Sequence, residues 1–140
     1  MISKTSLYVI RALAVLAELP EDQWIGTACL AEKTKAPVNY LSKLLHTLAR
    51  EGLVLSQKGV RGGIRLAKPA HAISLYQALY PFEDFSRWNE CLLGAEPCPA
   101  DKHCAVNARW EPVRQHYLRF LHETTAADLV GDGPSSVQPS

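Results

Sequence analysis

The stretch that decides the fold is Val38-Asn39-Tyr40-Leu41-Ser42-Lys43-Leu44-Leu45-His46-Thr47-Leu48-Ala49-Arg50. Val38, Leu41, Leu44/Leu45 and Leu48 recur at helical spacing and predict one buried stripe, while Asn39, Ser42, Lys43, His46, Thr47 and Arg50 fall on the other faces. An amide, hydroxyls and cations on the free face of a helix are groups that hydrogen-bond to base edges. Pro37 suits the first turn, where its missing N–H would be unpaired anyway, and Gly52 supplies a left-handed stop.

Working outward from this helix, Leu53-Val54-Leu55-Ser56 and Ile64-Arg65-Leu66 predict two short strands. They are joined by Gln57-Lys58-Gly59-Val60-Arg61-Gly62-Gly63, a glycine-rich hairpin with two positive charges. That hairpin is not a phosphate-cradling nucleotide loop, because it lacks the Gly-Lys-Ser/Thr ending and leads into a strand rather than a helix. On the N-terminal side, Leu7, Ile10, Leu13, Ala14 and Ala17 predict a core-facing helix over 6–18 that Pro20 stops. Thr27 is positioned to cap a short helix over 28–33, in which Cys29 among apolar neighbours reads as a small core residue. Two helices, a longer polar-faced helix and a basic hairpin, in that order, describe a winged helix–turn–helix. Lys58 and Arg61 on such a wing reach phosphates or minor-groove edges, and His46 is a further candidate for phosphate or base contact.

The bulk numbers agree with this plan. A chain of 140 residues, 47% hydrophobic, buries one core and is too short for two independent domains of usual size. Its net charge of +1 conceals an asymmetry. Ten Lys/Arg face five acids in residues 1–68, and five face nine in the remainder, so +5 and −4 underlie the total. A basic first half is what meeting a polyanion requires. Neither a membrane-spanning run nor a signal-peptide pattern is expected, so a cytoplasmic, reducing compartment follows. There, clustered cysteines favour metal or redox chemistry over disulfides.

Past Pro69 the character changes. A short helix is expected at 75–80, then a proline-bearing loop to about 102. Cys91, Cys98 and Cys104 follow one another with gaps of six and five residues. Three thiolates are iron–sulfur ligands and equally suit structural zinc, and spacing alone does not choose between them. Asp101, His103, Asn107 and His116 are local candidates for a fourth position, and a residue near Ser6–Tyr8 is a remote one. From Cys104 to about Thr124, the spacing of Val106, Trp110, Val113, Tyr117 and Leu121 predicts a long amphipathic helix. Pro112 should kink it or sit in its first turn. Residues 131–140 read as a disordered tail. No Ser/His/Asp arrangement or catalytic carboxylate pair stands out, so an enzyme is not expected.

Taken together, Ser6–Ala17, the run from Val38 through Lys43 to Val54, the wing segment Gly62-Gly63-Ile64-Arg65-Leu66-Ala67-Lys68-Pro69 and the three cysteines resemble the Rrf2 family of bacterial transcription regulators. The resemblance covers residues 2 to about 130. It implies a homodimer on a double-stranded DNA operator, paired through the C-terminal helix, with recognition roles for Asn39, Tyr40, Ser42 and Lys43. It also implies groove or phosphate roles for Lys58 and Arg61, and ligation of an iron–sulfur cluster, 2Fe–2S or 4Fe–4S, by Cys91, Cys98 and Cys104. Two departures stand out. The first cysteine gap is longer than is usual in the family. Asn107 and Tyr8 also occupy positions where two branches of the family carry a ligand histidine and a ligand acid, which leaves His103 and Asp101 as candidates.

The expected fold class is mainly α, a winged helix–turn–helix with a two-stranded wing and a long C-terminal dimerisation helix. The expected division is a DNA-binding domain over 1–69, a short helix and sensor loop over 70–104, a dimerisation helix and C-terminal segment over 105–130, and the tail. The expected function is a repressor whose operator affinity follows the redox state, iron or nitric oxide sensed by the cluster. A zinc or thiol-redox switch on the same cysteines, or a small electron carrier, are the competing expectations.

Overall fold

The computed structural model describes residues 3–20, 22–85 and 105–130. Cys91, Cys98 and Cys104, together with Asp101, His103 and the tail, lie outside the described residues. The described elements are α1 (Lys4–Glu18), α2 (Thr27–Thr34), α3 (Val38–Arg50), β1 (Val54–Gln57), β2 (Gly63–Leu66), α4 (Leu75–Leu79) and α5 (Ala105–Glu123), with 3-10 turns at Ala70–Ala72 and Ala126–Leu129. The described residues are mainly helical, with one two-stranded antiparallel sheet, as expected.

α1 starts at Ser3, whose side chain accepts from the Ser6 N–H at 3.1 Å. It ends because Leu19, preceding Pro20, is forced into an extended conformation. Its burial corrects the sequence reading. Leu7 is 40% exposed, and the enclosed residues are Ser6, Tyr8, Val9 and the whole run Ala12–Leu16. The reason is topological: α1 touches α2, α3, α4, β2 and the C-terminal 3-10 turn. A helix covered on several sides does not show the single stripe of a surface helix.

α2 is capped by Gly26 rather than Thr27, which is its first residue. It buries Leu30, Ala31 and Thr34. Cys29 falls on the opposite side and is exposed, so the expectation of a core cysteine is corrected. α3 behaves as its sequence dictates from Leu41 onward, with Leu41, Leu44, Leu45 and Leu48 buried, while Val38 is 46% exposed because the first turn projects beyond the core. Pro37 stands just before the first turn. At the other end Gly52 takes φ +78°, its N–H bonds the Ala49 carbonyl at 3.0 Å, and the Leu53 N–H reaches the Leu48 carbonyl at 3.0 Å. This is a Schellman stop sealed by contact between two fully buried leucines.

Leu53 therefore belongs to the cap, and the hairpin begins one residue later than expected. The register pairs Val54 with Leu66, Leu55 with Arg65, Ser56 with Ile64 and Gln57 with Gly63. Ile25 adds a third, single-bridge partner on the far side of β2. Each fully enclosed leucine or isoleucine of this head contributes about 1.5–3 kcal/mol from apolar burial.

α5 differs. Of its expected stripe only Leu121 is buried, while Val106 is 37% and Val113 51% exposed, and Phe120 beside them is 49% exposed. Pro112 lies in the helix interior, not its first turn. Its C-terminal end is fastened to the head: the Leu75 N–H bonds the Thr124 carbonyl and the Ala126 N–H bonds the Ile73 carbonyl, each at 2.8 Å. His122 stacks on Tyr76 with ring centroids 3.9 Å apart. Among the described residues no helix is long and apolar enough to cross a membrane.

Candidate nucleic-acid interface

With Leu41, Leu44, Leu45 and Leu48 turned into the core, α3 presents Asn39, Ser42, Lys43, His46 and Arg50 to solvent. An Asn amide is matched to the N6/N7 edge of adenine, Lys to the O6/N7 acceptors of guanine, and Ser to either. Tyr40 sits differently. Its hydroxyl hydrogen-bonds Thr5 Oγ1, and its ring meets Tyr8 edge-on at 5.8 Å. At 38% exposed, Tyr40 joins the start of α3 to α1 and keeps part of its ring toward solvent.

The wing follows from two close approaches. A Cβ on Gly62 would lie 2.0 Å from the Gln57 carbonyl oxygen, and one on Gly63 would lie 2.3 Å from that of Ile25. Only residues without a side chain allow the hairpin to fold so tightly and lie against residue 25. Lys58 and Arg61 are exposed on the loop thus formed, and Val60 at its tip is fully exposed.

Between wing and α3 lies a cleft of about 130 Å³ to which Thr27, Ser42, His46 and Ser56 contribute, from α2, α3 and β1. Hydroxyls converging from three elements beside a helix N-terminus can donate to phosphate oxygens. The sequence reading found Ser42 and His46 but missed Thr27 and Ser56. The signal was present for Thr27, a hydroxyl at a helix start; for Ser56 it was not, since one serine in a strand indicates nothing until the hairpin register is known.

On the opposite side of α1, Glu83 receives the Ser3 N–H at 3.0 Å and the Ser6 hydroxyl at 2.6 Å. Burial pushes the Glu83 carboxyl up, but the hydrogen bonds from Ser3 and Ser6 outweigh it and hold the group below the usual carboxylate range. Tyr117 of α5 is pushed the other way, raised by burial and by the Glu83 charge. The fully buried Ser6, the 83–85 segment and α5 are thereby one connected region.

Among the described residues no three His, Cys, Asp or Glu side chains form a metal-binding group. Of the candidates for a fourth ligand, Asn107 is half-buried in the first turn of α5, and Tyr8 is buried with its ring against Tyr40.

A family model described as Rrf2, iron-dependent transcriptional regulator, matches residues 2–132. A protein described as an HTH-type transcriptional regulator from Aquifex aeolicus (strain VF5) is 35% identical over 130 residues, covering 91% of this chain and 90% of the relative. In structure the chain is similar to T. potens IscR, with a TM-score of 0.72, 22% identity, and coverage of 92% of this chain and 85% of that one. It is similar to CymR, the global cysteine regulator of B. subtilis, with a TM-score of 0.73, 24% identity, and coverage of 92% and 95%. At these identities the structural likenesses speak to the fold.

Proposed function

The chain belongs to the Rrf2 family of helix–turn–helix transcriptional regulators and is not an enzyme, and from that premise we propose that it is a cytoplasmic homodimeric repressor whose operator affinity is set by an iron–sulfur cluster. The observation that carries the reading is the free face of α3, with Asn39, Ser42, Lys43 and His46 exposed beside a hydroxyl-lined cleft and a wing bearing Lys58 and Arg61. α3 enters the major groove, where Asn39, Ser42 and Lys43 read base edges and Tyr40 flanks them. Thr27, Ser56 and the two wing cations hold the phosphates or the minor-groove edge on either side.

The occupant of the exposed α5 face is a second copy of the chain. Val113, Phe120 and the neighbouring Pro112, His116 and Tyr117 form an apolar groove on a helix whose other end is fastened to its own head. A two-fold dimer through α5 presents two reading heads, and their operator half-sites lie about one DNA turn, roughly 34–36 Å, apart.

The cluster reading rests on donor chemistry. Cys91, Cys98 and Cys104 offer three thiolates, the ligand type iron–sulfur clusters take, and the family model carries an iron-dependent description. His103, Asp101 and Asn107 are the candidates to complete the set. Such a group supplies a centre that reacts with oxidants and nitric oxide or is lost when iron is scarce. Cys104 directly precedes Ala105, so a ligand held there constrains the N-terminal end of α5 while the Leu75–Thr124 and Ala126–Ile73 hydrogen bonds hold the other end. A change at Cys104 then tilts the two heads relative to each other, and DNA affinity follows.

Purification without oxygen, with iron, acid-labile sulfide and absorption measured on one sample, tests the cluster. Stoichiometric iron and sulfide with visible absorption are expected. A colourless protein with one equivalent of zinc would contradict it and favour a zinc switch on the same cysteines.

A further inference from the structure

The wing cations must be aimed as well as present, and three residues outside the recognition helix, Asp22, Trp24 and Arg65, meet at the strand that leads out of the wing. β2 is held from both sides, by its register with β1 and by reciprocal backbone hydrogen bonds between Ile25 and Ile64 at 3.0 and 2.7 Å. One residue along β2, the guanidinium of Arg65 lies over the Trp24 ring, 4.7 Å from its centroid. Its Nη1 donates to Asp22 Oδ1 at 3.2 Å, and Asp22 itself takes φ +67°, a conformation that residues other than glycine seldom adopt.

Two facts argue that this arrangement is kept for direction rather than for stability. Asp22 is 93% exposed, and ion pairs at such exposure stabilise little. Arg65 Nε is buried with no hydrogen-bond partner among the described residues, so one donor is stranded by the pose. A planar guanidinium on an indole face, by contrast, fixes an orientation that a flexible ammonium does not. Arg65 borders a separate cavity with Asp22, Pro20 and Lys68, away from the Thr27/Ser42/Ser56 cleft, so it is not placed to share the contacts of that cleft.

We propose that Arg65 is a positioning residue for DNA binding: its stack on Trp24, braced by Asp22, sets the pitch of the wing so that Lys58 and Arg61 meet the duplex while α3 occupies the groove. This rests on reading the wing as a DNA contact. The test uses the full-length protein and a duplex selected by it from a random pool, with Kd measured across a salt series. The forms compared are wild type, Arg65→Met, Arg65→Lys, the wing-neutral Lys58→Ala/Arg61→Ala, and that pair combined with Arg65→Met. The wing-neutral form should bind ~10-fold more weakly with a salt slope reduced by ~2. Arg65→Met should lose ~5-fold or more, Arg65→Lys should not restore it, and Arg65→Met should add nothing in the wing-neutral background. Additive losses would mean that Arg65 touches DNA itself and would overturn the proposal, as would full binding by Arg65→Met or Arg65→Lys. A wing-neutral form that binds like wild type defeats the reading of the wing, and this proposal with it. Trp24→Leu supplies a second route should Arg65→Met unfold: its loss too must vanish in the wing-neutral background, and persistence there contradicts the assignment.

Discussion

The reading head and the C-terminal helix solve the same physical problem in opposite ways. From Lys4 to Leu79 the apolar residues of six helical and strand elements close on one another, and Val9, Leu13, Leu30, Leu41, Leu48, Leu53 and Ile73 are fully enclosed within a single chain. α5 is the longest helix described, yet it encloses Leu121 alone and leaves Val113 and Phe120 about half exposed. A head closed with the help of Leu121 and Ala126, beside a helix whose remaining apolar face is open, fits the proposal that a second copy covers that face. The stability of the fold lies in the first region, and on the proposed dimer the spacing of the heads lies in the second.

The largest break in that comparison comes from the head. Leu48 is fully buried and seals the α3 stop against Leu53, so Leu48→Ala should lower unfolding free energy by about 2–5 kcal/mol in denaturant titration, with DNA binding lost in proportion to the unfolded fraction. Phe120→Asp on α5 should do the reverse. The head stays folded, sedimentation gives monomers, and operator affinity falls ~100-fold because two half-sites are no longer engaged together. A Phe120→Asp protein that remains dimeric would break the assignment of this face.

A smaller effect is expected within the head. Asn39→Ala and Lys43→Ala should each cost about 1–3 kcal/mol on the selected operator and relax preference at one base pair, whereas Lys58→Ala on the wing lowers the salt slope by about 1 without changing preference. Competition among single-base variants of the operator separates the two.

The smallest concerns the junction of the regions, where Glu83 holds Ser3 and Ser6. Its carboxyl titrates below the usual range in the folded chain, so its stabilisation is fully present above the unfolded value, about 4.3, and is lost as pH falls through the lower folded value. Thermal unfolding followed from pH 7 downward should therefore decline more steeply in wild type than in Glu83→Gln. Parallel curves would mean that the hydrogen bonds to Ser3 and Ser6 carry no net stabilisation.

How legible all this was in the sequence depended on how local the physics is. The α3 stripe, the Gly52 stop and the wing are set by residues within a turn or two of each other, and periodicity with the glycines placed them to within a residue. The α1 stripe misled because burial there is decided by elements far along the chain, from β2 to the turn at Ala126–Leu129. Cys29 misled for a related reason, since in an eight-residue helix with few apolar residues a small shift in the assumed face exchanges core for solvent. The exposed polar face of α3 was readable because a polar face opposite a leucine stripe needs no tertiary knowledge. Ser56 and the Arg65–Trp24 stack were not, because their places are set only after β2 pairs with β1 and with Ile25. The cysteine cluster was legible as chemistry, and its geometry falls outside the described residues.

The most direct measurement is the Kd of the anaerobically purified protein for its selected operator, taken before and after the cluster is removed by chelation and oxidation, with dimer content checked in both samples. The expected result is a dimer in both samples whose affinity changes by ~10-fold or more on cluster loss, within the range of allosteric coupling. Equal affinity of the two forms, or a protein that never holds iron and sulfide, would contradict control of the reading heads through Cys91, Cys98 and Cys104.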